Sequence, residues 1–212
     1  SLPPGVSAKD VILAIIARLG VNGGLGYAYE YGGAAVEAMG MEERLTVCNM
    51  SIEGGARVGY VNPDATTFEY LRDLPFAPRG PARAEALAFW QGVASDPDAR
   101  YDDRVEIAGP GLEPMVAWGI NPGQAVGVTG RLPLPAEARR DDREGLEKAY
   151  AHTGFTPGAP VAGTRVNVVF IGSSHCSNAL RLHLSATTAS RVPSMTFLRV
   201  RGNSACCGFR PH

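Results

Sequence analysis

The stretch Ser7-Ala-Lys-Asp10, followed at once by Val11-Ile-Leu-Ala-Ile-Ile-Ala17 and closed by Gly20, constrains the fold more than any other part of the chain. Ser7 with Asp10 three residues on is an N-cap signature, Gly20 stands where a left-handed C-cap would, and the spacing predicts a helix over Ala8–Leu19. Its apolar residues go nearly all round, so the helix must be buried between layers rather than laid on a surface. The apolar run is seven residues long, too short to span a bilayer.

The rest of the chain alternates. Gly23-Gly24-Leu25-Gly26 reads as a turn, since the spacing fits neither a P-loop nor a dinucleotide fingerprint. It leads into Tyr27-Ala-Tyr-Glu-Tyr31, whose alternation predicts a strand. Short helices are expected from Thr66 to Leu71 and from Ala82 to Val93, the second with Leu87, Trp90 and Val93 facing inward. Arg104-Val-Glu-Ile-Ala108 predicts a strand. Trp118-Gly-Ile-Asn-Pro-Gly-Gln124 reads as an aromatic anchor followed by a turn. A charged helix is expected from Asp142 to His152, with Leu146, Ala149 and Tyr150 as its narrow apolar stripe, and a buried strand from Val166 to Ile171. Helices and strands alternating in this way point to an α/β fold. His152, beside a proline-rich connection, reads as a surface histidine.

Chemistry concentrates in Thr46-Val-Cys-Asn-Met-Ser-Ile-Glu-Gly-Gly-Ala-Arg57, followed by Val58-Gly-Tyr-Val-Asn-Pro-Asp64. Asn49 and Glu53 are four residues apart, so a continuous helix would project an amide and a carboxylate together from one side. Met41, Leu45, Cys48, Ile52 and Ala56 recur at three- and four-residue spacing and are expected to pack inward, with Glu42, Asn49 and Glu53 flanking them. Glu53 reads either as a solvated helix carboxylate or as an acid at a cleft. Gly54 and Gly55 favour the cleft, because two glycines in a helical stretch signal close approach of backbone or ligand. Cys48 reads as an inert core thiol.

Three segments, Pro3 to Ile16, Thr46 to Thr67, and Trp118 to Gln124, resemble the aconitase family, in particular its isopropylmalate dehydratase large subunits. The resemblance runs over about residues 1 to 173. It implies an aconitase-like three-layer α/β domain with fragments of the flanking domains: residues 1–30 the end of a first domain, 31–130 a central α/β domain, 131–165 a linker with a short helix, 166–178 the start of a cluster-bearing domain, and 179–212 a disordered tail foreign to the family. It also implies a 4Fe-4S hydro-lyase in which an iron bound by no protein thiolate acts as a Lewis acid on the substrate's hydroxyl and carboxylate. Asn49 and Glu53 fall on the family's Asn-x-x-x-Glu positions. There the amide supports the cluster region and the carboxylate hydrogen-bonds near the iron-bound oxygen.

The departures from that pattern matter as well. The family places its first cluster cysteine directly after Gly-Ser at the end of a buried strand, whereas here Gly172-Ser173 is followed by Ser174-His-Cys-Ser-Asn178. Either Ser174 replaces the ligand, or Cys176 is the metal ligand displaced by two residues. The later paired Cys-x-x-Cys ligands have no counterpart, since Cys206 and Cys207 are adjacent, and Ile120 stands where the family usually has Thr. The opening Ser1-Leu-Pro-Pro-Gly-Val falls in the middle of what the family builds as its first domain. The expectation is a large-subunit fragment truncated at both ends with an aberrant tail, which itself binds no 4Fe-4S cluster.

Composition adds exclusions. With 20 basic and 21 acidic residues and a formal net charge of -1, the chain carries no electrostatic footprint for nucleic acid. Nothing in it reads as a membrane segment or a secretory signal. Its four cysteines lack the spacing of a disulfide framework, and a cytoplasmic setting is expected. The family's partners would be a dehydratase small subunit and a small 2-hydroxy diacid substrate. The rival readings are a non-catalytic remnant able only to associate with a partner subunit, and a fragment of homoaconitase or a related 2-hydroxyacid dehydratase.

Overall fold

The computed structural model describes residues 2–138 and 140–166. Helix α1 (Ala8–Leu19) forms over the residues expected. Asp10, 4% exposed, takes the Ser7 N–H at 2.8 Å and the Ser7 hydroxyl at 2.6 Å on one oxygen, while its other oxygen accepts the Met115 N–H at 2.7 Å. One carboxylate thus caps the helix and ties it to a strand more than a hundred residues away. Gly20 has φ 86° but ψ 161°, so the chain leaves α1 extended rather than through the expected left-handed turn.

Strand β1 (Tyr29–Tyr31) pairs in parallel with β2 (Gly59–Val61), Tyr29 opposite Gly59. The crossover between them contains the single turn α2 (Ala34–Glu37) and α3 (Met41–Met50). Helices α4 (Ala65–Arg72) and α5 (Pro81–Gly92) follow. An irregular stretch then leads to the hairpin of β3 (Met115–Ala117) and β4 (Ala125–Gly127). Its turn is the Trp118 to Gln124 segment, closed by Trp118 N–H on the Gln124 carbonyl and by Gly123 N–H on the Asn121 side chain, both at 3.0 Å. Helix α6 (Arg140–Thr153) completes the α/β fold.

Two clusters hold these elements. In the first, Ala8, Ile12, Leu13 and Ile16 of α1 pack on Met39, on Val47 and Met50 of α3, and on Ala125 of β4. In the second, Leu146, Ala149 and Tyr150 of α6 pack on Trp118 and Leu132. Trp118 stacks on Tyr150 with ring centroids 4.6 Å apart. The narrow apolar stripe expected on α6 is therefore its buried face.

Several sequence expectations need correction. The stretch around Asn49 and Glu53 is not one helix: α3 ends at Met50 and a 3-10 turn, Ser51–Gly54, takes over until Gly55, whose left-handed φ 84°, ψ 0° stops it. The inward face is also not the apolar one expected. Leu45 and Ile52 are 44% and 58% exposed, while Arg44, Val47, Met50, Ser51, Gly54 and Ala56 are buried. Arg104 to Ala108 forms no strand and has no ladder with any described residue. Val93 is exposed rather than turned inward. Cys176 lies outside the described residues, as does the strand expected over Val166 to Ile171 beyond its first residue.

Ser51, fully buried, donates to the Val47 carbonyl at 2.9 Å and accepts from Tyr31 Oη at 2.7 Å, joining α3 to β1. Burial pushes the Tyr31 phenol up to about 12 from an ordinary 10.0. The folded state keeps this proton where the unfolded chain has lost it. The resulting stability is complete below pH 10 and declines as pH rises from 10 towards 12, by about 2 kcal/mol from this group. Urea midpoints measured from pH 9 to 12 should fall in that window. Tyr31→Phe should flatten the fall, and an unaltered profile in the variant would contradict the assignment.

Candidate functional site

Asn49 lies in the last turn of α3 and Glu53 in the 3-10 turn beyond it, both exposed. Neither side chain makes a hydrogen bond or an ion pair among the described residues. They share their side of the molecule with the exposed Leu45 and Ile52. Cys48 lies between the two surfaces, half-buried, and burial pushes its thiol up, which favours the neutral form over a thiolate. What faces solvent here is an amide, a carboxylate and two aliphatic side chains.

The back of the same segment is fixed by polar groups. Arg44, 3% exposed, donates to the Met39 and Glu37 carbonyls, each at 3.1 Å. It also forms a two-pronged pair with Asp64, Nη1 to Oδ1 at 2.7 Å and Nη2 to Oδ2 at 2.8 Å. The bidentate guanidinium holds the Asp64 carboxyl below the usual carboxylate range and is itself pushed up by the same contact. Asp64 in turn caps α4 by accepting the Thr67 N–H at 3.2 Å. One residue pair thus locks α3 to α4 behind the exposed face.

A second knot lies alongside. Glu30 of β1 accepts from Asn62 Nδ2 at 2.9 Å, Ser95 Oγ at 2.6 Å and Tyr101 Oη at 2.8 Å, and Asn62 Oδ1 takes the Ser95 N–H at 2.9 Å. The carboxylate gathers three donors from two segments and pins both to β1. The Tyr101 phenol is pushed up by its bond to Glu30.

Sequence reasoning missed Arg44, Asp64, Glu30 and Ser51. Positions 44, 47, 51 and 54 carry helical spacing as clean as that of 41, 45, 48 and 52, but the second set is apolar and drew the inward face to itself. Asp64 followed by Ala-Thr-Thr67 was a readable N-cap signal. Glu30 gave none, because its partners lie 32 to 71 residues away.

The described residues do not fit a 4Fe-4S cluster. Such clusters are held by cysteine thiolates. The described part of the chain contains one cysteine, Cys48, and among the described residues no three His, Cys, Asp or Glu side chains stand where they could hold a metal ion.

At 60% identity, 177 residues align with the 3-isopropylmalate dehydratase large subunit of Synechococcus sp. (strain JA-3-3Ab), covering 84% of this chain and 38% of that protein. The large subunits of the same name from Thermus thermophilus and Opitutus terrae are 58% and 56% identical over 178 residues, 84% of this chain and 37% of each. The chain therefore spans well under half the length of these relatives. The sequence profile of the aconitase family (aconitate hydratase) matches residues 1–193, past the point where the motif-level resemblance fades. With a family match over nine-tenths of its length, the chain belongs to the aconitase family.

Proposed function

We propose that this chain is the part of a 3-isopropylmalate dehydratase large subunit that presents Asn49 and Glu53 to the substrate, in a hydro-lyase that removes and re-adds water between 2- and 3-isopropylmalate. The observation that carries the reading is the amide and carboxylate left exposed and unpartnered on a segment whose rear is anchored by Arg44 and Asp64. Over the aligned residues, the relatives of that name are more than half identical to this chain. An exposed carboxylate with no competing partner is free to accept a hydrogen bond from a substrate hydroxyl and to carry its proton. An amide beside it can both donate and accept, and so orient a carboxylate or hydroxyl of a 2-hydroxy diacid. Leu45 and Ile52, exposed on the same side, suit the isopropyl group or an adjoining apolar surface.

The chemistry belongs to a longer protein, completed by a dehydratase small subunit in a cytoplasmic setting. Among the described residues no helix is long and apolar enough to cross a membrane. The second reading, a non-catalytic remnant that associates with a partner subunit, is favoured for the chain as written by its sequence, in which Cys206 and Cys207 are adjacent where the family carries paired Cys-x-x-Cys ligands.

Grafting residues 2–166 in place of the aligned stretch of the Synechococcus large subunit, with its small subunit supplied, tests the first reading. The graft should turn over isopropylmalate, and Glu53→Gln within it should lower kcat about 100-fold or more, as loss of a positioned proton carrier does. Full activity of Glu53→Gln would refute the role given to Glu53. Iron and sulfide reconstitution of the chain as written should leave it colourless. Stoichiometric iron with broad visible absorbance would instead overturn the remnant reading.

A further inference from the structure

Two unmet sequence expectations fall at one place. The spacing in α1 calls for cover on every side, yet Val11 and Ile15 are only partly buried and border a gap of about 280 Å³. The sequence Arg104 to Ala108 calls for a strand, yet it lies unpaired on the far wall of that gap. Asp103, Val105 and Ile107 line the gap, while the intervening Arg104 and Glu106 pair with one another at 3.2 Å. That is the period-two alternation of a strand with one face turned to a core.

The third wall is β1, which uses one edge. Tyr29 N–H bonds the Val58 carbonyl at 2.9 Å, and the Tyr27 carbonyl takes the Arg57 N–H at 2.8 Å. Residues 27, 29 and 31 therefore direct their backbone groups towards β2. Those of Ala28 and Glu30 point the other way, and no described residue hydrogen-bonds them. An unpaired edge of this kind is a template for another strand.

The unpaired segment is already moored there. Tyr101 Oη holds the Glu30 side chain at 2.8 Å, and Arg18 Nη1 of α1 holds the Glu106 carbonyl at 2.7 Å. We propose that residues 103–107 are a strap that closes on the free edge of β1 as a third strand, seating Val105 and Ile107 on Val11 and Ile15 and filling the gap. Closure satisfies the edge groups of β1 and completes the cover that α1 requires. It also bears on α3. Glu30 holds Asn62 as well as Tyr101, and Asn62 lies two residues before Asp64, the partner of Arg44. The device rests on β1, α1 and the strap, and stands whatever reaction the family face performs.

Amide hydrogen exchange on the full chain, resolved to single residues, tests it. Tyr29 and Tyr31, whose backbone groups face β2, report on the existing pair. Glu30 reports on the strap. With the strap closing, the Glu30 amide should exchange about 100-fold or more slowly than an unprotected amide, as should alternate amides within 103–107. Val105→Pro, which removes a donor and obstructs pairing, should release Glu30 and leave Tyr29 and Tyr31 slow. Exchange of Glu30 at the unprotected rate in the unsubstituted chain overturns the proposal. So does Val105→Pro with Glu30 still protected. If that variant frees Tyr29 and Tyr31 as well, the pair itself has opened, and Ile107→Asn decides by the same three amides.

Discussion

Arg44→Met should lower the unfolding free energy by about 3 kcal/mol, read as a shift of the urea midpoint at pH 7. Arg44 is 3% exposed and makes four hydrogen bonds, to the Met39 and Glu37 carbonyls and to both oxygens of Asp64. Removing one partner of a buried pair typically costs about 3–5 kcal/mol, because the other is left without its counter-charge. The lower end applies because the Asp64 side chain is 40% exposed and can turn to water. Asp64→Asn is the sharper test of the pair, since it leaves a guanidinium buried. Because the two act as one unit, the double variant should cost less than the sum of the singles.

The same pair fixes an acid limit. The folded Asp64 carboxyl is held below its ordinary 3.8 by Arg44, so the folded state binds that proton less readily than the unfolded chain does. Its contribution is whole above the ordinary value and is lost as pH falls through the depressed folded one. Arg44→Met should therefore unfold with a shallower pH dependence below about pH 4 than the unsubstituted chain. Equal slopes would show that the pair is not what acid breaks.

How far the sequence could be read divides along physical lines. Helix α1 was legible to the residue because its cap, apolar run and terminal glycine are local signals that agree, and tertiary contact only reinforced them. The α6 stripe was legible for the same reason. At α3 two helical registers compete, one apolar and one built around Arg44, and spacing alone cannot rank them. What decides is Asp64, twenty residues on, which makes the arginine the buried register and turns Leu45 and Ile52 outward. The change from α-helical to 3-10 winding at Ser51 is equally invisible in the spacing, although Gly54 and Gly55 mark the place where the turn ends. Asn49 and Glu53 were named through the family's motif, and the structure accounts for their exposure through the anchoring behind them.

Gly59→Ala should be as damaging as loss of the arginine, by a different route. A Cβ at residue 59 would lie 2.7 Å from Cys48 Cα and 2.8 Å from the Cys48 carbonyl oxygen, and would strike Ser51 Oγ. The first two are backbone atoms of the last turn of α3 and cannot rotate aside. Ser51 is held between the Val47 carbonyl and Tyr31. Strand β2 and α3 must therefore move apart, and the move would shift Asn49, between the two contacting residues, and Glu53, just beyond them. Overpacking of a tight site costs about 1–3 kcal/mol, and the immovable backbone puts this one at the top of that range. For a chain of this size, that corresponds to a Tm lower by about 6–12 °C. Gly145→Ala in α6 is the matched control. Nothing lies within 4 Å of the added methyl there, and replacing a helical glycine should raise stability by up to about 1 kcal/mol. Thermal unfolding of the two variants side by side should move in opposite directions. A Gly59→Ala protein melting with the unsubstituted chain would mean that β2 is not seated against α3, and would remove the physical basis for a rigid Asn49 and Glu53 face.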